Sequence, residues 1–230
     1  MYQKLQAEQN ELGRDITGSL PAAGTVDGLP VLSQFQQRMW EQAAPYLAVR
    51  SNDHHSLHAF GLASALLQYY PDADPEVVLP AILLHDTGWS CVPAAEVLEA
   101  IAPGGGRKDL VLRHEKAGAR IAREILEDLE HPASLIDEIT AIIDGHDSRP
   151  TALSINDAIV KDADKIWRVT PGGLDIIMDW FGLNRQEALR LTAARVHGHL
   201  FTDYGAAMAM ALTSVESMST TDEAKATLRC

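Results

Sequence analysis

Three features of this chain point to an all-α bundle. Apolar residues recur at helical spacing from about residue 31 onward, and no segment shows convincing period-two alternation. Ser, Asn, Asp and Pro punctuate the apolar runs where helices would begin. Composition agrees, since 46% hydrophobic residues with only 6% aromatic favour a helical globule over a sandwich. At 230 residues the chain is long enough for one well-buried domain with a small appendage. Residues 1–29, polar and then rich in Gly and Pro (Gly18, Pro21, Gly24, Gly28, Pro30), read as an arm with one short helix. Residues 30–230 read as a single helical domain with extra helices at its C-terminal end.

The elements follow in order. Ser51, Asn52 and Asp53 offer N-caps for a helix that ends before Pro71. On it His55, Ala59, Leu62, Ala63 and Leu66 share one face. Asp74-Pro75 starts the next helix, with Pro at its first position. That helix carries the apolar run from Leu79 to Leu84 into His85-Asp86; Pro80 should kink it and Gly88 can terminate it. A long helix spans roughly Lys108 to Leu129, with His114, Gly118, Ile121 and Ile125 in one stripe. Another runs from about Ser134 with Ile136, Ile139, Ile143 and His146 on one side. Asn156 can cap a further helix on which Val160, Asp164 and Trp167 line up. Segments around 185–197 and 205–215 read as later packing helices. The run 104–106 lacks the Lys-Ser/Thr and strand context of a phosphate loop and reads as a flexible turn.

Charge narrows the function classes. Acids outnumber bases 32 to 19, a net charge of −13, so most of the surface would repel a polyanion and no nucleic-acid polymer is expected. The two cysteines, Cys91 and Cys230, make no disulfide scaffold and fit a reduced cytoplasmic protein. The N-terminus lacks a signal-peptide pattern, and no stretch approaches eighteen uncharged apolar residues, so no membrane span is expected. Apolar helices such as the one around 206–212 suit core or interface alike, which leaves a homo-oligomer open.

The chemistry lies at His85-Asp86. An ionised carboxylate taken from water without a partner costs several kcal/mol even after relaxation, and a divalent cation is a general way to offset that cost. His55 lies upstream, and His114, His146 and Asp164 downstream, each extending an apolar stripe that should face the core. Other histidines read differently: His131 precedes a proline in a loop, and His197 and His199 would point about 200° apart on a helix. The acids Glu124, Glu127, Asp128 and Glu130 read as a solvated face.

The order of these elements resembles the HD superfamily of metal-dependent phosphohydrolases. The matching text is Asp53-His54-His55-Ser56-Leu57, Leu83-Leu84-His85-Asp86-Thr87-Gly88 and His114-Glu115-Lys116-Ala117-Gly118-Ala119. It finishes with Ile142-Ile143-Asp144-Gly145-His146 and Ile159-Val160-Lys161-Asp162-Ala163-Asp164-Lys165. The resemblance covers about residues 50–170. It implies that His55, His85, Asp86 and Asp164 form a one-metal core, with His54 and His58 competing for the first position. His114 and His146 correspond to the extra histidines of two-metal members, in which the aspartate of the pair bridges. Thr87 and Trp89-Ser90 depart from the usual pattern, so pocket-mouth residues do not carry over.

The implied cofactors are two divalent transition ions, iron or manganese first, with zinc, cobalt or nickel as alternatives. The implied substrate is a small anionic phosphate ester or nucleotide. Asp86, Lys116 and Lys165 are the catalytic candidates, and Lys116, Arg149, Lys165 and Arg168 the candidate substrate-binding cations. Asp147 and Asp162 are candidates to orient ligands or shuttle a proton. An HD-type di-iron oxygenase cleaving a C–C or C–P bond with O₂ is the alternative, and a nucleotide sensor a third reading. Specificity is expected from the segment after Asp86, the loop Ser148 to Leu153, and the C-terminal helices.

Overall fold

The computed structural model describes residues 11–22, 24–104 and 106–219. It divides into two compact units between Val31 and Leu32. The first contains a short 3-10 helix, Thr17–Ser19, beside Asp15, whose carboxylate accepts from the Thr17 amide and hydroxyl. The second, among its described residues, is built of ten α-helices and no strand. None is long and apolar enough to cross a membrane. Cys230 lies outside the described residues, as does the start of the arm.

Helix α1 (Gln34–Leu47) opens on a capping box between Ser33 and Gln36 and buries Met39, Ala43 and Leu47. Helix α2 (Asn52–Leu67) starts differently from the capping its sequence predicts. Ser51 makes no side-chain cap; it and Arg50 lie in the left-handed region, at φ +61° and +53°. Each such non-glycine residue costs about 1–2 kcal/mol. Helix α3 (Pro75–Leu84) begins as expected, with the Asp74 carboxylate accepting from the Glu76 amide and Pro75 at the first position. It is buried on nearly every side, from Val77 to Leu84, so it forms the middle of the bundle. It ends four residues before Gly88, which sits instead inside a 3-10 helix, Thr87–Cys91.

Gly88 is there for contact. A Cβ on it would lie 1.8 Å from the His114 carbonyl oxygen, so only glycine lets this turn press against α5 (Lys108–Asp128). Helix α4 (Ala94–Ile101) lies between them in sequence. Helix α6 (Ala133–Ile143) stops earlier than its stripe predicts, leaving His146 on the turn beyond it. Helix α7 (Ile155–Ile166) is capped by Ser154, whose side chain accepts from the Asp157 amide. Asn156, expected to be that cap, instead accepts from the Asp74 amide and donates to Glu138. After a 3-10 turn, Trp167–Val169, come α8 (Pro171–Phe181), α9 (Arg185–Val196) and α10 (Asp203–Ser219). The main core joins α1, α2, α3, α5, α6 and α7 through Leu66, Leu83, Ile121, Ile139 and Val160. A satellite core under Trp167 joins α8 and α9 through Leu174, Ile177 and Leu189.

Candidate metal centre

Four imidazoles and two carboxylates meet in the middle of the bundle. His55 on α2 places Nε2 2.9 Å from Nε2 of His85, just past α3. His114 on α5 places Nε2 3.4 Å from Nε2 of His146. Asp86 stands between the pairs: Oδ2 is 3.3 Å from His55 Nε2, and Oδ1 is 3.6 Å from His146 and 3.8 Å from His114. Asp164 on α7 reaches His55 at 3.2 Å and His85 at 3.6 Å. All six residues are buried. His54 and His58 are exposed, so the histidine this helix turns inward is His55.

Local structure fixes the ring tautomers. His85 Nδ1 is 2.8 Å from the Ile82 carbonyl, and His146 Nδ1 2.9 Å from the Ile143 carbonyl. A carbonyl only accepts, so Nδ1 carries the proton in each ring and a neutral ring turns its Nε2 lone pair toward the carboxylates. A buried space with this many electron-pair donors calls for cations. Protons serve in part. Burial opposes charge on His55, but its hydrogen bonds with Asp164 and Asp86 win and raise its pKa. Burial likewise opposes charge on His146, and the hydrogen bond with Asp86 and the charge of Asp147 carry it up to about 10. His114 is driven down to about 4 by burial and by His146, since two adjacent buried imidazoles oppose each other's positive charge. Burial would raise both carboxylates, yet His85, His146 and His55 hold Asp86, and Arg168 and His55 hold Asp164, well below the usual range.

The donor set suits a divalent transition ion better than protons. His55, His85 and Asp164 can hold a metal, as can His85, Asp86 and His146, and His114, His146 and Asp147; within each group the donor atoms lie within 4.8 Å of one another. Magnesium prefers oxygen ligands, so a set with four imidazoles suits it poorly. Asp147, read from sequence as a group to orient ligands or shuttle a proton, joins the third set.

The turn that presents His146 is held from both sides. Glu115, buried on α5, accepts from the Asp147 and Ser148 amides at 2.9 and 2.8 Å. Lys161, buried on α7, donates to the Gly145, His146 and Arg149 carbonyls at 2.7, 3.0 and 3.0 Å. Neither residue was singled out from sequence, because lysine and glutamate on a helix normally read as solvated.

Beside the cluster opens a cavity of about 280 Å³, lined by His55, Asp86, Asp147 and Asp164, by Arg50, Lys165, Arg168 and Arg195, and by indoles and aliphatic groups of α4, α5, α8 and α9. Two of the predicted cations belong to it. Arg168 donates to the Asp164 carbonyl at 2.7 Å and lies 3.5 Å from its carboxylate, and Lys165 lies 5.2 Å from the Phe201 ring centroid. The other two do not. Lys116 is exposed on the outer face of α5 and is not among the lining residues. Arg149 turns back to the Ala141, Ile142 and Asp144 carbonyls at the end of α6 and to Asp157 at 3.3 Å, where it caps a helix. Asp162 also faces elsewhere, accepting from the Phe201 and Thr202 amides and the Thr202 hydroxyl ahead of α10. Asp147, not the Ser148–Leu153 loop, reaches the cavity wall.

Arg50 and Trp89 were missed. Trp89 stacks on His114 at 3.8 Å between ring centroids and donates Nε1–H to Asp86 Oδ1 at 3.0 Å. Arg50 lies 5.0 Å from the Trp89 centroid and 4.5 Å from that of Trp180, and burial lowers its pKa to about 10. The one sequence signal for Trp89 was its departure from the HD pattern; Arg50 precedes α2 and belongs to no stripe.

Comparison with known proteins fits this geometry. A family model described as the HD domain matches residues 52–168, half of the chain, a span that begins with α2 and includes every one of these histidines. Searches of curated proteins and of solved structures find no significant match.

Proposed function

The chain belongs to the HD domain family, and on that premise we propose that it is a metal-dependent phosphohydrolase acting on a small phosphate ester or nucleotide. The observation that carries this reading is the convergence of four imidazole Nε2 atoms and two carboxylates at the wall of a cavity that also holds four cationic side chains. We assign His55, His85, Asp86 and Asp164 to one divalent ion and His114, His146 and Asp86, with Asp147 beside them, to a second.

Ions held there supply Lewis acidity, which polarises phosphoryl oxygens and lowers the pKa of water from about 15.7 toward 7. The rest falls to the protein. Asp86, with Oδ2 toward His55 and Oδ1 among His85, His114 and His146, links the two half-sites. Ile82 and Ile143 carbonyls fix the ring orientations of His85 and His146. Arg168 and Lys165 at the cavity wall bind substrate charge, and Trp89 and Trp167 exclude bulk water from two of the histidines, which strengthens each electrostatic contact.

The test is turnover with the ions counted. Purified protein loaded with manganese, iron or cobalt should release inorganic phosphate from members of a panel of phosphomonoesters and nucleotides, and Asp86→Asn should abolish release. Loaded protein that leaves the whole panel intact overturns the assignment; substrate-dependent oxygen uptake by the iron form would replace it with the oxygenase.

A further inference from the structure

Besides Nδ1 of the ligand His55, five side-chain polar atoms of residues that line the cavity are buried without a hydrogen-bond partner among the described residues: Nε and Nη1 of Arg50, Oδ1 and Nδ2 of Asn52, and Nε1 of Trp167. Buried polar groups are almost always paired, and each one left unpaired costs about 1–3 kcal/mol. Here they cluster. Asn52 is fully buried at the first turn of α2, Arg50 lies two residues before it, and Trp167 packs against the His55 ring at 4.4 Å between centroids. The backbone spends further energy on the arrangement, since Arg50 and Ser51 are consecutive left-handed residues without being glycine. Between Trp89 and Trp180 the guanidinium has little freedom, so it is preorganised.

The unmet atoms are mostly N–H donors, which match an oxyanion. Among the described residues no carboxylate pairs with this guanidinium as Asp164 pairs with Arg168. Resting on the phosphohydrolase reading for the reacting end, we propose that Arg50, Asn52 and Trp167 form a second oxyanion subsite, which holds a non-reacting carboxylate or phosphate of the substrate. The substrate is then a phosphate ester bearing a second anionic group, small enough for a cavity of about 280 Å³.

Calorimetric titration of metal-loaded protein with non-hydrolysable phosphonates tests this without turnover. Methylphosphonate offers one anionic group; phosphonoacetate and 3-phosphonopropionate add a carboxylate, and methylenediphosphonate a second phosphonate, at different reach. At least one two-anion compound should bind about tenfold or more tighter than methylphosphonate, the equivalent of one charge-assisted hydrogen bond. Arg50→Met and, separately, Asn52→Asp should remove that gain and leave methylphosphonate affinity unchanged. Methionine can keep the packing between the Trp89 and Trp180 indoles, so Arg50→Met should melt close to the parent, which separates lost binding from lost folding. Which second group binds best identifies it as carboxylate or phosphate. Equal affinity for one- and two-anion compounds, no binding of either, or an equal loss of both in Arg50→Met overturns the subsite. Binding as expected with no phosphatase activity would instead retire the hydrolase reading and keep the subsite.

Discussion

Asp86 has two oxygens, Oδ2 toward His55 and Oδ1 among His85, His114 and His146. Asp86→Asn keeps the shape but gives one of those directions an N–H₂ donor, which cannot accept a cation. Metal stoichiometry should fall and turnover drop by at least about 100-fold, measured by elemental analysis alongside phosphate release. The histidines give a pH dependence with a definite sign. In metal-free protein the pKa of His146 is raised to about 10 and that of His55 is raised from 6.5. Their stabilisation is therefore complete below about 6.5, where the unfolded chain is also protonated, and is lost as pH climbs toward 10. Bound ions replace those protons, so metal affinity should strengthen over the same interval. Thermal melts of chelated and loaded protein from pH 6 to 9.5 should diverge, the chelated form falling; parallel curves would contradict it.

At the level of elements, the half-sites are built differently. His55 and Asp164 stand on α2 and α7, whereas His146 stands on a turn clamped by Lys161 and Glu115. Lys161→Met removes a charged donor from three carbonyls and should cost about 3 kcal/mol, read by urea unfolding. It should lower the ion count by one per chain, with the His55–His85–Asp164 group keeping its own. Gly88→Ala places a Cβ against the His114 carbonyl and should cost about 3 kcal/mol or prevent folding. What was legible at this scale was periodic. His55, His114 and Asp164 sit on stripes three and four residues apart, so pattern alone turned them inward. Arg50, on a left-handed turn outside any stripe, was hidden, and His146 was found although its helix ends at Ile143, short of it. Helix α8 has no place in the sequence reading, although Thr170 caps it and Pro is favoured at a first helical position. Arg149 and Lys116 misled for the opposite reason, since charge near a ligand in sequence says nothing of the direction it points.

Across the whole molecule, an excess of thirteen negative charges surrounds a cavity with four cations in its wall. In that wall the four cations stand beside Asp86, Asp147 and Asp164, so ions that neutralise the carboxylates would leave the cations to face an anionic substrate. Ions that bind only the folded protein also stabilise it, by about 2.7 kcal/mol at a hundredfold excess over Kd. Chelation should lower the melting temperature by roughly 5–10 °C. In a chain carrying both Asp86→Asn and Asp164→Asn the shift should vanish. Each half of the cluster, finally, has an indole of its own: Trp89 against His114 and Trp167 against His55. A paramagnetic ion arriving at either half would quench the nearer lamp, so the emission of Trp89→Phe and Trp167→Phe chains would report which berth fills first.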